Sequence, residues 1–215
     1  MVRAVIFDMD GVISNTQISH AQAESETLKI FGIDLTPQEL STRYAGVPDQ
    51  VMFQQILQRF NKHVDINKII EKKWLIMNGI IKNNIQPIPG VRDIIMLLYK
   101  EGYPLIVASA SPTHFIETVL NSLHIRTFFR SIVSGDEVER GKPYPDLFLL
   151  AAKKLNIEPS NCLVIEDSSN GVQAAKNAEM KCIGITTTHS KKDLENADLV
   201  IDAFSKLTME KIKSL

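Results

Sequence analysis

The sequence predicts an α/β protein: a parallel sheet covered by helices on both faces, with a small all-helical domain inserted after the first strand. Two observations support this fold class. Short apolar runs rich in β-branched residues recur along the chain, and amphipathic helical patterns separate them. Residues 15–84 break the alternation, because four helical patterns follow one another there without a strand pattern. Strands that alternate with helices favour three layers, with the sheet between two layers of helices.

Composition is ordinary for a globular protein. The 215 residues are 44% hydrophobic, which suits one large domain or a domain with a modest insertion. A net charge of −1 gives no reason to expect a nucleic acid or an anionic membrane as partner. The two cysteines, Cys162 and Cys182, are too few for a disulfide framework and are expected to be core residues in a reducing compartment. The early acidic residue Asp8 and the lack of a long apolar run argue against a signal peptide or membrane span, so we expect a cytoplasmic protein.

The elements of the expected core follow from apolar periodicity. Helices are predicted where apolar residues share one face, and Ser111 with Pro112 reads as an N-cap followed by a first-turn proline. The predicted strands are residues 4–7, 105–108, 131–133, 162–165, 182–186 and 199–201. The predicted helices are residues 91–100, a helix that begins at Ser111, residues 145–155 and residues 171–178.

The inserted domain is predicted to hold four helices. The first ends at Gly32, and the second begins at a capping box formed by Thr36 and Glu39 with Pro37 at the first helical position. Two further apolar stripes lie within residues 51–60 and 66–81. We expect the core to comprise residues 1–14 and 85–215 and the inserted domain residues 15–84, with a proline-stiffened return linker.

Polar side chains follow several of the predicted strands. Ligands of an open parallel sheet bind beyond the carboxyl ends of its strands, near the point where the strand order reverses. If the strands are neighbours, these side chains therefore converge at one edge of the sheet. They are Asp8, Asp10, Ser109, Lys142, Glu166 and Asp167.

The combination of these groups indicates phosphate chemistry. Clustered carboxylates raise one another's pKa unless a cation lies among them, and Mg²⁺ prefers oxygen ligands of this kind. A lysine and a hydroxyl beside Mg²⁺ suit a bound phosphoryl group. Of two carboxylates two residues apart, one can attack phosphorus and the other can transfer the proton. Gly11 allows the chain to turn sharply beside them.

Four motifs in order along the chain resemble those of the haloacid dehalogenase superfamily. Each is weak alone, but four in order at plausible spacings are specific, and with the inserted helices the resemblance covers essentially the whole chain. They are Asp-Met-Asp-Gly-Val at 8–12, Ile-Val-Ala-Ser at 106–109, Gly-Lys-Pro at 141–143 and Val-Ile-Glu-Asp-Ser-Ser-Asn-Gly at 164–171. The resemblance implies a Rossmann-like core with a helical cap domain, as in the branch that holds β-phosphoglucomutases, sugar-phosphate phosphatases and phosphoglycolate phosphatases.

The resemblance also implies roles for the core residues. Asp8 would be the nucleophile and Asp10 the general acid and base, while Ser109, Ala110 and Lys142 would bind the phosphoryl group. An acid at position 10 argues against dehalogenation, which needs none.

The same resemblance implies a metal site. Mg²⁺ would be held by Asp8, by the main-chain carbonyl of Asp10 and by Asp167, and Glu166 would act through water.

Two residues of the cap domain are candidates for substrate binding. His20 matches a histidine that helps β-phosphoglucomutases couple cap closure to the acid/base residue; the alternative is an exposed histidine on the polar face of a helix. Gly46 lies in residues 45–49, which are expected to form a loop over the active site, where specificity usually resides.

The same loop departs from the mutase pattern. Known β-phosphoglucomutases carry a lysine and an arginine where this chain has Ala45 and Asp49, and the arginine grips the distal phosphate of a bisphosphorylated sugar. An acidic residue there would repel a second phosphate, which weakens the mutase interpretation. A cation elsewhere in the cap domain could substitute, and the candidates are Arg43, Lys72 and Lys73.

The predicted function is a Mg²⁺-dependent phosphatase that hydrolyses a small phosphate monoester, a sugar phosphate, through an aspartyl phosphate on Asp8. The alternative is β-phosphoglucomutase, an isomerase that uses the same intermediate. A third hypothesis is a binding module that keeps the fold without turnover. We expect a monomer whose partner is a small phosphorylated metabolite, with no nucleic acid or membrane partner.

Overall fold

The computed structural model describes residues 1–44, 47–81 and 85–215. The chain forms two compact units, one of Met1–Ser14 with Pro87–Leu215 and one of Asn15–Gln86. We call the first the core and the second the cap domain. Within the described residues, no helix combines the length and apolarity needed to cross a membrane.

The core is built on one sheet of six parallel strands in the order β3-β2-β1-β4-β5-β6. This order is that of a Rossmann-like fold, and the strand order reverses beside β1. The predicted α/β fold class is therefore confirmed. The strands are β1 (Ala4–Phe7), β2 (Leu105–Ser109), β3 (Ser131–Ser134), β4 (Cys162–Glu166), β5 (Lys181–Ile185) and β6 (Leu199–Ile201).

The central strands form because their side chains are buried on both faces. Every residue of β1, β2 and β4 is buried, as expected for strands covered by helices above and below. Strand β5 begins and ends one residue earlier than predicted, because its pairing with β4 places Lys181 beside Leu163. Cys162 and Cys182 are buried free thiols, as predicted.

The helices lie between the strands along the chain and within the cap domain, and the last one follows β6. They are α1 (Gln17–Ile30), α2 (Pro37–Tyr44), α3 (Asp49–Arg59), α4 (Ile66–Ile81), α5 (Val91–Lys100), α6 (Thr113–Ser122), α7 (Asp146–Leu155), α8 (Ser169–Asn177) and α9 (Met209–Lys213). On one side of the sheet, α7 and α8 pack their apolar faces against the strands around Ile6, Ile106 and Val164.

The predicted start of α6 is wrong in one respect. Pro112 occupies the N-cap position with extended backbone, and no side chain caps the helix. The side chain of Ser111, which the sequence predicts to cap the helix, donates its hydroxyl proton to Asp10 Oδ2.

The cap domain consists of α1 to α4 around its own apolar cluster. The predicted capping box forms at α2: the main-chain N–H of Thr36 donates to Glu39 Oε2 at 2.8 Å, and the N–H of Glu39 donates to Thr36 Oγ1 at 3.2 Å. Gly32 adopts a φ of +73° where the chain leaves α1. The cluster centres on Leu28, Leu40, Phe53, Ile56 and Ile69.

Candidate active site

The first polar residues of the site follow β1 and lie at the point where the strand order reverses. Asp8 is buried, and its main-chain N–H donates to the carbonyl of Ile165 on β4 at 3.0 Å. The chain then turns back on itself at Gly11, whose φ is +87°. A Cβ at that position would overlap the carboxylate of Asp167, so only glycine fits both the backbone conformation and the space.

Two serines, one at the end of β2 and one just after it, hold Asp10. The hydroxyls of Ser109 and Ser111 donate to the same oxygen, Asp10 Oδ2, at 3.2 and 2.9 Å. The main-chain N–H of Ser111 donates to Ser109 Oγ at 3.1 Å, which fixes the two serines relative to each other. Ala110 lies between them and is exposed, and its main-chain carbonyl packs closely against Gly135.

Lys142 is a buried cation between two carboxylates. Its ammonium donates to Asp8 Oδ1 and to Glu166 Oε1, each at 2.5 Å, and it lies 5.1 Å from the centre of the Phe148 ring. The lysine therefore joins the loop after β3 to the residues that follow β1 and end β4. Its position sets the orientation of the Asp8 carboxylate.

Glu166 is an anchor whose two carboxylate oxygens both accept hydrogen bonds. Oε2 accepts from the main-chain N–H groups of Asp167 and Ser168 and from the Ser168 hydroxyl, at 2.8 to 2.9 Å. Oε1 accepts from Lys142. The side chain is fully buried, and a Cβ at Gly171 would overlap it, so the glycine makes room for the carboxylate.

Asp167 is buried beside this anchor, and its Oδ2 accepts a hydrogen bond from the hydroxyl of Thr188. Asp8, Glu166 and Asp167 each place a carboxylate oxygen within 4.8 Å of the others. Among the described residues, no donor engages the second carboxylate oxygen of Asp8 or of Asp167. These two carboxylates are therefore better suited than Glu166 to bind a cation directly.

The electrostatics of the site are dominated by burial and by an excess of carboxylates. Burial is the largest cause of a rise in the pKa of Asp8 to about 8; Lys142 opposes the rise, and the charges of Glu166 and Asp10 contribute to it. Burial also raises the pKa of Asp167, and the charges of Glu166 and Asp8 add to the shift. Burial alone would lower the pKa of Lys142, but Asp8 and Glu166 outweigh it and raise that pKa. The negative charge that remains fits a divalent cation with oxygen ligands.

The cap domain contains a second buried lysine, Lys73, whose side chain is 1% exposed. Its ammonium donates to both carboxylate oxygens of Asp49, at 3.0 and 2.9 Å, and lies 3.9 Å from Glu24. It also lies 3.0 Å from His20 Nδ1 and 4.0 Å from the centre of the Trp74 ring. Lys73 is therefore neutralised within the cap domain.

Comparison with known proteins identifies the family. The family model of the haloacid dehalogenase-like hydrolases matches residues 5–185. The chain belongs to this family. Hexitol phosphatase B of Escherichia coli strain K12 is 28% identical and spans 96% of this chain and 95% of its own. Fructose-1-phosphate phosphatase YqaB of the same strain is 30% identical and spans 84% and 95%. The crystal structure of β-phosphoglucomutase from Clostridium difficile superposes with a TM-score of 0.89 at 30% identity, covering 100% of this chain and 96% of that one.

In this haloacid dehalogenase-like hydrolase, the sequence-predicted core residues lie together. Asp8 contacts Lys142 and lies near Asp167, Asp10 contacts Ser109, and the charge of Asp10 acts on Asp8. In the cap domain, His20 is 9% exposed and packs edge-on against Trp74, so its interpretation as an exposed polar-face histidine is wrong. Gly46 lies outside the described residues.

Sequence reasoning missed two hydroxyls at this site. The sequence predicts that Ser111 caps a helix, and only the folded structure shows that its hydroxyl donates to Asp10. Thr188 follows β5 closely, so the rule that polar residues after strands converge could have found it.

Proposed function

We propose that this haloacid dehalogenase-like hydrolase is a Mg²⁺-dependent phosphatase that hydrolyses a sugar phosphate through an aspartyl phosphate on Asp8. One observation carries the proposal: the carboxylates of Asp8 and Asp10, two residues apart, have different partners. Asp8 is held by an ammonium and Asp10 by two hydroxyls. Two carboxyl groups in different environments can take different chemical roles. The names of the phosphatase relatives support the substrate class.

In the first step, a carboxylate oxygen of Asp8 attacks the phosphorus of the ester. Lys142 holds the other oxygen, Oδ1, and so orients the carboxylate for attack. The bond between phosphorus and the alcohol oxygen breaks as the acyl phosphate forms. Asp10 enters this step protonated and gives its proton to the departing alcohol oxygen.

In the second step, a water molecule attacks the phosphorus of the acyl phosphate. Asp10, now a carboxylate, accepts a proton from that water. The bond between phosphorus and the Asp8 oxygen breaks, inorganic phosphate leaves and the Asp8 carboxylate is restored. Ser109 and Ser111 hold Asp10 at a fixed oxygen, which keeps its other oxygen oriented for proton transfer.

The arrangement fits Mg²⁺, which would be held by the carboxylates of Asp8 and Asp167 and by the main-chain carbonyl of Asp10. When bound, the ion would balance the negative charge of the transferring phosphoryl group. Ser109, Ala110 and Lys142 would contact the phosphoryl oxygens. Glu166 would act indirectly, because both of its oxygens already accept hydrogen bonds.

The contacts of Lys73 favour the phosphatase over the mutase. A bisphosphorylated intermediate needs a cation for its far phosphate, and Lys73 is a candidate from the sequence. Lys73 is buried and both oxygens of Asp49 accept hydrogen bonds from it, so its charge is already used. We therefore propose a substrate with a single phosphate, with His20 and Gly46 of the cap domain contributing to its recognition.

The test is phosphate release from a panel of esters with Mg²⁺. The panel comprises hexose 6-phosphates, 2-deoxyglucose 6-phosphate, fructose 1-phosphate, hexitol phosphates, phosphoglycolate and β-glucose 1-phosphate with a trace of its bisphosphate. Release should vanish in Asp8→Asn and with chelator. It should persist in the control Asp93→Asn, which makes the same change at an exposed position of α5. Conversion of β-glucose 1-phosphate to glucose 6-phosphate without free phosphate would establish the mutase instead.

A further inference from the structure

The loop after β5 carries two threonines, Thr187 and Thr188, that reach the site from its outer side. Strand β5 pairs with β4, so its carboxyl end lies next to the strand end that bears Asp167. The main-chain N–H of Thr187 donates to the carbonyl of Ile185 at 3.0 Å, which turns the chain immediately after the strand. The turn brings the two threonines towards the loops that follow β1 and β4.

Each threonine hydroxyl binds a different loop of the site. Thr187 Oγ1 donates to the main-chain carbonyl of Gly11 at 2.5 Å, in the turn that begins with Asp10. Thr188 Oγ1 donates to Asp167 Oδ2 on the other loop. Adjacent residues therefore tie together the two loops that carry proposed cation ligands.

The partners of Thr188 determine the direction of its hydrogen bond when Asp167 is ionised. An ionised carboxylate can only accept, so the hydroxyl proton of Thr188 then points towards Asp167, whose main-chain carbonyl oxygen lies 3.3 Å from the same hydroxyl oxygen. His189 Nδ1 lies 2.9 Å from the same hydroxyl oxygen and can donate to it when that nitrogen carries the proton. The result is a chain from His189 through Thr188 to Asp167, in which each donor strengthens the next.

Close packing supports the same arrangement. A Cβ on Gly11 would meet the Asp167 carboxylate and would lie 3.0 Å from Thr188 Cγ2. Gly11, Asp167 and Thr188 therefore approach one another closely, with the threonine methyl group facing the turn. The threonine contributes both a hydrogen bond and a packing contact.

We propose that Thr188 is a positioning residue for the cation site, and that Thr187 supports it through Gly11. Thr188 donates to Oδ2 of Asp167, and Oδ1, which no donor among the described residues engages, is the oxygen that would bind the cation. Thr187 fixes the peptide that follows the Asp10 carbonyl. The inference rests on the proposed Mg²⁺-dependent function. Hydrogen bonds of this type to metal ligands are typically worth about 10- to 100-fold in metal affinity.

The experiment measures Mg²⁺ binding by calorimetry without substrate, in parallel with the Mg²⁺ concentration needed for phosphate release. Thr188→Val keeps the shape and removes the hydroxyl, and Thr188→Ser keeps the hydroxyl. Thr118→Val is the matched control, because it removes a hydroxyl that bonds the His114 carbonyl on the exposed surface of α6.

We expect Thr188→Val to weaken Mg²⁺ binding by about tenfold or more, with Thr188→Ser and Thr118→Val close to wild type. The Mg²⁺ concentration for half-maximal activity should shift by the same factor. Unchanged binding in Thr188→Val, or equal losses in the valine and serine variants, would overturn the inference and leave the phosphatase proposal standing. Failure of the wild-type protein to bind Mg²⁺ would overturn both.

Discussion

At the scale of the residue, the surroundings of Asp8 and Asp10 differ more than their spacing in the sequence suggests. Asp8 is buried against Lys142 and shares that single ammonium with Glu166. Asp10 accepts from Ser109 and Ser111. Burial and the neighbouring carboxylates oppose the ionisation of Asp8, so a cation beside it would favour the carboxylate that attacks phosphorus.

The first prediction concerns Asp8→Asn in protein freed of metal. The pKa of Asp8 is raised to about 8, so the folded state retains a proton that the unfolded state has lost, and stability falls as pH rises from about 4 to about 8. The asparagine side chain does not ionise, so the variant does not lose stability over this pH range for that reason. At pH 7 the melting temperature of the variant should exceed that of wild type by about 2–4 °C for each kcal/mol that the substitution adds to the free energy of unfolding. Thermal unfolding at pH 7 and pH 4 measures this: the difference should vanish at pH 4, and a lower melting temperature at pH 7 would contradict it.

The second prediction concerns Lys142→Met. The substitution leaves Asp8 and Glu166 buried without their shared cation, which should lower the free energy of unfolding by about 3–5 kcal/mol in urea denaturation at pH 7. As a control, Lys206→Met removes an exposed lysine paired with Asp202 and should change stability by less than about 1 kcal/mol. Equal effects of the two variants would show that the buried pairs contribute little.

Several site residues could be predicted from the sequence because they follow predicted strands. Asp8, Ser109 and Asp167 are of this kind. Ser111 could not, since its sequence context matches the start of a helix and its acceptor lies 101 positions away along the chain. The same hydroxyl could accept from a main-chain N–H as a helix cap or donate to a distant carboxylate, and only the folded structure shows which contact forms.

At the scale of the element, a buried cluster of charged side chains connects three helices of the cap domain. Lys73 on α4 contacts Asp49 at the start of α3 and lies near Glu24 on α1, so three helices meet at one buried ammonium. The capping box of α2 was predictable because its partners are three residues apart. This cluster was not, because its members come from three separate helices.

The third prediction concerns Glu24→Gln. Burial raises the pKa of Glu24, Lys73 opposes the shift and Asp49 adds to it. Ionisation of Glu24 therefore costs stability as pH rises above its usual value of 4.5. Because glutamine does not ionise, Glu24→Gln should melt at a higher temperature than wild type at pH 7 and at the same temperature below pH 4. Glu26→Gln on the exposed face of α1 is the control, and a destabilised Glu24→Gln at pH 7 would refute the sign of the effect.

At the scale of the whole molecule, the alternation of strands and helices predicted the layers and the parallel sheet. It did not predict the strand order. β1 pairs with β2 and β4, which lie about 100 and 160 residues further along the chain, and such long-range pairing leaves no local pattern. Because the strand order determines which polar residues meet, the site could be assembled in full only from the structure.

The fourth prediction concerns the stability of the molecule with metal. An ion that binds only the folded state stabilises it by about 2.7 kcal/mol at a hundredfold excess over its dissociation constant. Mg²⁺ should therefore raise the melting temperature of the wild-type protein, and chelator should reverse the rise. Asp167→Asn should abolish most of the rise, whereas the exposed control Asp93→Asn should retain it. A full rise in Asp167→Asn would place the ion elsewhere.

The most direct test of the central claim is the location of the phosphoryl group during turnover. Enzyme mixed with a hydrolysed ester and Mg²⁺ is quenched in acid within the first turnover, digested and analysed by mass spectrometry, with Asp8→Asn in parallel. The mechanism predicts a phosphoryl group on the peptide that contains Asp8, and neither that group nor phosphate release in the variant. A phosphoryl group on another peptide, or sustained phosphate release by Asp8→Asn, would contradict it.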